Sequence, residues 1–181
     1  MEAVLVASPP ALEFRTYGRA VRVSLLPSLG RRGEGWVLIQ GVLLVLVAAA
    51  GWSLGPDWSG PARLVGVLVG IGLVATGIVL ALRGVVDLGG AMTPLPHPRD
   101  GAALVQTGAY ALVRHPIYGG LILVAFGWAI AQASVGAVIL AAALATFLRL
   151  KSMREERWLE VRYPEYASYR SRTRRFIPWI G

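Results

Sequence analysis

With 181 residues, 55% of them hydrophobic and only 15% charged, the chain sits well below the roughly 25% charge of a soluble domain and points to an integral membrane protein. It has no cysteine, which excludes disulfides, thiolate metal sites and a cysteine nucleophile; its two histidines, His97 and His115, argue against a histidine-built zinc site, so no metal is expected. A formal net charge of +8 in so apolar a chain fits cytoplasmic flanks and anionic lipid headgroups, not nucleic acid.

Residues 1–35 begin without the basic start and apolar core of a signal peptide. They interleave Arg15, Arg19 and Arg22 with Phe14, Tyr17 and Val21, a pattern that suits a short interfacial helix or a frayed tail equally. Residues 36–54 carry no charge and are long enough to cross a bilayer, which takes about 20 apolar residues. Gly55, Pro56, Asp57, Gly60 and Pro61 then form a turn by composition. Residues 64–82 are a second uncharged span, in which Gly66-x-x-x-Gly70 allows close approach of a neighbouring helix. No strand precedes these glycines, so a dinucleotide loop is the poorer reading.

Residues 83–116 read as a long polar loop. Pro94, Pro96 and Pro98 at alternate positions exclude a regular helix there. The 32 uncharged residues 117–148 are too long for one span, and a tight helical hairpin bending near Gln132–Gly136 fits them. Of the 18 Lys and Arg, 17 fall in segments 1–35, 83–116 and 149–181, so the positive-inside rule places both termini and the loop in the cytoplasm. The expected fold is an all-α polytopic bundle of about four transmembrane helices, with the hairpin at 117–148 and a cytoplasmic C-terminal lid. A bacterial cytoplasmic membrane is the expected location, with membrane lipids as partners; no oligomeric state follows.

Arg114-His115-Pro116-Ile117-Tyr118-Gly119-Gly120 opens the hairpin. Charged and titratable groups are costly at a membrane edge and mark a candidate site; an ordinary interfacial belt of Arg, Tyr and His is the plainer reading. Pro116 suits a first helical turn and drives His115 out of helical geometry. The hairpin brings this cluster beside Glu155 and Glu156. Those carboxylates are either a ligand site or part of a solvated helix with pairs such as Lys151 and Glu155 four apart. Tyr166 and Tyr169 share one helix face, followed by Arg172-x-x-Arg175-Phe176 in what reads as a basic amphipathic tail.

Leu104-Val105-Gln106-Thr107-Gly108-Ala109-Tyr110, Arg114-His115-Pro116-x-Tyr118, Glu155-Glu156-x-x-Leu159, Tyr163-Pro164-x-Tyr166-x-x-Tyr169 and Pro178, in this order, resemble the isoprenylcysteine carboxyl methyltransferase family, to which phospholipid N-methyltransferases are related. The resemblance covers roughly residues 83–181, a methyltransferase core after the N-terminal segment 1–35 and two membrane helices in 36–82. It implies S-adenosylmethionine as methyl donor, S-adenosylhomocysteine as product and a lipophilic acceptor. It further implies a cytoplasmic cofactor pocket contacted by Leu104, Val105, Tyr110, Arg114, His115, Pro116, Ile117, Tyr118, Gly119, Glu155, Glu156, Tyr166 and Tyr169, with His115 and Glu155 as the expected catalytic residues. Lys151 stands where the family has a substrate-contacting arginine. A nicotinamide-dependent membrane reductase and a non-catalytic membrane subunit are the competing readings.

Overall fold

The computed structural model describes Leu29 and residues 33–53, 60–91 and 103–178. The expected interfacial helix of 1–35, the turn around 55–59 and the proline run containing His97 fall largely or wholly outside the described residues. Among the described residues six helices occur in order: α1 (Glu34–Ser53), α2 (Pro61–Leu88), α3 (Ala109–Leu112), α4 (Pro116–Ala131), α5 (Val135–Arg162) and α6 (Tyr166–Arg172), with a short 3-10 turn, Gly89–Ala91, after α2. Three of them, α1, α2 and α5, are long and apolar enough to cross a membrane, and the protein is an integral membrane helical bundle.

The fourth apolar helix is shorter than the expectation of four full spans. α4 has 16 residues, about 24 Å at 1.5 Å per residue, against a hydrocarbon core of about 30 Å. Both its ends are fixed locally: Pro116 occupies the first turn, and the chain reverses through Gln132, Ala133 and Ser134. Ala133 adopts a left-handed conformation, φ 51°. Ser134 caps α5, its hydroxyl accepting from the Ala137 N–H at 3.2 Å and donating to the Ala50 carbonyl at 3.0 Å. The turn is thereby pinned to α1, and the hairpin expected from the uncharged run is present.

The helices lie in the order α2, α4, α5, α1, with α1 also touching α4. Consecutive α1 and α2 therefore flank the hairpin from opposite sides. Val47, Ile122, Ala125, Ala141, Leu144 and Leu148 form the core between α1, α4 and α5. Leu38, Val45, Trp52, Leu68, Val86 and Ile139 face outward, where lipid is the solvent.

α2 and α4 meet through backbone rather than side chains. A Cβ on Gly70 would lie 2.5 Å from the Gly127 carbonyl oxygen, and one on Gly127 2.7 Å from that of Gly70; for Gly77 and Gly120 the same distances are 2.6 and 2.4 Å. Gly84 rests likewise on Pro116 and Ile117. Two helices of opposite direction thus touch at seven-residue intervals, the close approach that small residues permit in a membrane. The seam runs through Gly70, Gly77 and Gly84, so the expected glycine Gly70 takes part and the contact extends further along α2 than the sequence motif. α2 also continues past residue 82, so Arg83 and Asp87 belong to the helix and the loop begins later than expected. Asp87 Oδ2 accepts from the Ala109 N–H at 2.7 Å, which ties the end of α2 to the start of α3.

Candidate functional site

The site grows from the first residue of α4. The proline ring at 116 disfavours helical geometry at the preceding residue, and His115 takes φ −130°, ψ 65° at the helix cap. Residues 113–115 are therefore extended and available for pairing. The segment after α6 runs parallel to them: the Arg114 N–H donates to the Arg174 carbonyl at 2.8 Å and the His115 N–H to that of Arg175 at 2.9 Å. This C-terminal strap reaches Gly119, where an added Cβ would stand 2.2 Å from the Phe176 carbonyl oxygen. The bare faces of Gly119 and Gly120, open to a ligand or to another helix on sequence grounds, are both filled by protein: the strap covers one and α2 the other.

α5 extends well beyond its apolar part and carries Glu155 and Glu156 up beside this cap. The two neighbours are held very differently. Glu156 Oε1 accepts from Arg114 Nε at 2.9 Å and lies 3.2 Å from His115 Nε2, while Oε2 accepts from Arg175 Nη2 at 2.8 Å; Arg170 Nε stands at 4.0 Å. Its side chain is 3% exposed. Arg114 Nη1 also donates to the carbonyls of Arg170, at 3.1 Å, and Thr173. Glu156 thus closes a network joining α5, the α4 cap and the strap, with both oxygens committed.

Glu155 has fewer partners and more access. The Tyr118 hydroxyl donates to Oε1 at 2.5 Å, and His115 Nδ1 is 3.6 Å from Oε2, too long for a full hydrogen bond. Its side chain is 15% exposed. A carboxylate offers about four acceptor positions, so Glu155 retains capacity that Glu156 has spent. The Tyr118 and His115 rings are stacked beside it, 5.5 Å apart and 7° from parallel. Lys151 Nζ lies 5.1 Å over the Tyr118 ring and donates to Gln40 Oε1 of α1 at 2.8 Å. Lys151 is 2% exposed and Ser152 is fully buried, so this turn of α5 is interior and not the solvated helix that the four-residue charge spacing allows.

The tyrosines close the side of the junction. Tyr166 and Tyr169 are buried on α6, edge to face at 5.8 Å, and the Tyr169 hydroxyl donates to the Tyr110 carbonyl at 2.7 Å. Burial raises the Tyr110 and Tyr166 phenols above their ordinary range and pushes Tyr169 up to about 12, so all three stay neutral at physiological pH. The Tyr166 hydroxyl is buried without a hydrogen-bond partner, an expense that a bound polar group would remove. Leu104 and Val105 are half-buried in the segment before α3, which Arg172 Nη2 ties to α6 through Gln106 Oε1 at 2.6 Å. Ile117 is half-buried against Gly84 of α2.

The expected cluster of Arg114, His115, Tyr118, Glu155 and Glu156 is therefore assembled in space, with Lys151 at its edge. Sequence reasoning missed three contributors. Arg175 is an ion-pair partner, although its run reads as a lipid-binding tail. Asp87 is an acidic residue near the end of an apolar helix, a placement that itself signals a partner. Gln40 is a polar residue inside a charge-free span, which in a membrane helix indicates a hydrogen bond to another helix. Among the described residues, no group of three or more His, Asp or Glu is arranged to hold a metal ion.

The model of the phospholipid methyltransferase family matches residues 65–166, more than half of the chain, and the chain belongs to that family. By membership and by its membrane-length helices it is a membrane methyltransferase. The match runs from α2 to the first residue of α6 and leaves α1 and the strap outside. No curated protein matches the chain significantly.

Proposed function

We propose that this member of the phospholipid methyltransferase family transfers a methyl group from S-adenosylmethionine to a lipophilic or amphiphilic acceptor, at the membrane face where α3, the α4 cap, α5 and the strap converge. The observation that carries the reading is the contrast between the two glutamates. One is consumed by structure, and the other keeps free acceptor positions beside two stacked rings.

The residues suit the cofactor. Glu155 is placed to accept from a ribose diol or an ammonium, and the faces of Tyr118 and His115 attract a cation such as a sulfonium. The buried, unpartnered Tyr166 hydroxyl offers a further polar contact. Tyr110, Tyr169, Leu104 and Val105 wall the α3 side, while Arg114, Pro116, Ile117, Gly119 and Glu156 shape the cap and hold the strap down. When bound, S-adenosylmethionine supplies a methyl group already activated by positive charge, and S-adenosylhomocysteine is left. The protein's share is orientation and exclusion of water. Both ring nitrogens of His115 face carboxylates, which suits it to positioning more than to taking an acceptor proton. The lysine and arginine distribution supports a cytoplasmic site and cytoplasmic termini.

Purified protein in lipid nanodiscs is expected to bind S-adenosylhomocysteine saturably and NADPH not at all, and to transfer label from S-adenosylmethionine into solvent-extractable lipid. Binding of NADPH alone would overturn the reading in favour of a reductase. Binding of neither would make the chain a non-catalytic subunit.

A further inference from the structure

α3 is the smallest helix at the site and the least able to stand alone. It has four residues, Ala109–Leu112, and a single helical turn does not repay the ordering of its own backbone. Because it carries Tyr110, a wall of the donor site, its placement needs a hold from outside. On the α6 side that hold comes from Tyr169, which donates to the Tyr110 carbonyl at 2.7 Å, and from Arg172, which donates to Gln106 at 2.6 Å. On the α2 side the hydrogen bond comes from Asp87.

Asp87 is itself placed by the α2–α4 seam. It lies three residues beyond Gly84, on much the same face of α2, and Gly84 rests on Pro116 and Ile117 at the first turn of α4. Asp87 Oδ2 accepts from the Ala109 N–H at 2.7 Å, the first helical N–H and one that α3 cannot satisfy internally. The preceding residue is fitted to the same carboxylate. Gly108 stands at φ 61°, a conformation that suits glycine, and a Cβ there would collide with Asp87 Oδ2. The start of α3 is thus pressed against a carboxylate whose own position is fixed by the backbone contact of α2 with α4. Tyr110 follows directly and is 8% exposed. Its phenol is kept neutral by burial first, and further by Tyr169, Glu155 and Asp87. The ring therefore stands within electrostatic reach of both Asp87 and Glu155, the carboxylate of the donor site.

We propose that Asp87 is a positioning residue for the donor site: by holding the first N–H of α3 it carries the fixed spacing of the α2–α4 seam to the Tyr110 ring. It acts through that ring and not on the ligand. The inference rests on the methyltransferase reading and adds a second anchor to the site, since Glu156 holds the strap and Asp87 holds α3.

The test measures S-adenosylhomocysteine affinity of the full chain in lipid nanodiscs. Asp87→Ala is expected to weaken binding about tenfold, the worth of one charge-assisted hydrogen bond. Asp87→Asn keeps an oxygen that can accept from the Ala109 N–H, so its loss should shrink to about threefold. The decisive readout is a double-mutant cycle with Tyr110→Ala. Once the ring is gone, Asp87→Ala should cost no more than about twofold, whereas a merely structural Asp87 would cost the same in both backgrounds. If Asp87→Ala fails to fold, Asp87→Glu, which keeps the charge but carries it one methylene further, gives the same cycle. Full affinity in the Asp87 variants, no rescue by Asp87→Asn, or an equal loss with and without the Tyr110 ring overturns the proposal. Failure of the unaltered protein to bind S-adenosylhomocysteine would instead sink the methyltransferase reading.

Discussion

The α2–α4 seam and the junction around Glu156 hold helices together by opposite chemistry. Along the seam the contacts are uncharged, glycine backbones meeting α4 at Gly70, Gly77 and Gly84 by close packing, and the charged side chain of Arg63 joins at its end by donating to the Ala131 carbonyl. At the junction a buried carboxylate gathers Arg114, His115 and Arg175, and the structure stands on ion pairs. Apolar side chains gain little from each other in lipid, which favours backbone contact. At the membrane edge, where chain segments from three parts of the sequence must converge, directional hydrogen bonds fix which segment goes where. The seam is a rigid support, and the junction is an adjustable face built on it.

The largest effect is expected from filling the seam. Gly120→Leu drives a side chain into the Gly77 carbonyl, where backbone has no room to yield. Overpacking typically costs about 1–3 kcal/mol when side chains can shift, and more is expected here. The variant should be lost to aggregation in detergent, as size-exclusion chromatography would show. A monodisperse variant would mean that the seam is looser than described.

A smaller loss is expected at the junction. Glu156→Ala leaves Arg114 and Arg175 without their carboxylate, and breaking a buried ion network costs about 3–5 kcal/mol. Partial compensation by Glu155 and by the carbonyls that Arg114 already reaches should keep the helices assembled. The expected result is a lowered melting temperature with preserved helicity by circular dichroism, together with release of the strap to protease. An intact strap would show that its backbone pairing with 114–115 suffices.

The smallest effect is one of pH, and it should separate the two regions. Tyr169 is held neutral by burial, its pKa raised from 10.0 to about 12. A raised value means that the folded state keeps its proton more tightly than the unfolded chain. The stabilisation is thus complete below pH 10 and is lost as pH rises through about 12. The Tyr169 hydroxyl then ceases to donate to Tyr110. Proteinase K cleavage between residues 163 and 178 should increase from pH 9 to pH 11.5, while the α2–α4 seam, whose glycine contacts involve no titratable group, stays protected. Equal sensitivity in both would place the weak point elsewhere.

How much of this is legible in the sequence differs between the same two regions. Uncharged runs mark α1, α2 and the hairpin because a membrane helix must satisfy its backbone internally and shed charge. The extension of α2 to Leu88 is hidden, since Arg83 and Asp87 look like loop residues until Asp87 is seen receiving the Ala109 N–H. The seam is half visible: glycines signal close packing, but which glycines meet depends on where α4 starts, and that is set by Pro116. The convergence of Arg114, His115, Tyr118, Glu155 and Glu156 follows from the hairpin. Their unequal roles do not, because adjacent glutamates are identical letters and the approach of Arg114 from the α4 cap and Arg175 along the strap separates them. Gln40 is legible only in part: a polar residue in an uncharged span signals a partner on another helix, but which one is hidden, as Lys151 lies 111 positions away.

The central claim is that Glu156 holds the fold while Glu155 holds the methyl donor. The direct measurement is S-adenosylhomocysteine affinity and melting temperature for Glu155→Gln and Glu156→Gln side by side in nanodiscs. The account predicts that Glu155→Gln weakens binding by about tenfold or more, the loss of one charge-assisted hydrogen bond, with the melting temperature of the empty protein nearly unchanged. Glu156→Gln should chiefly lower the melting temperature. Equal affinity for Glu155→Gln and the unaltered protein, or a melting temperature that falls as far as for Glu156→Gln, would contradict it.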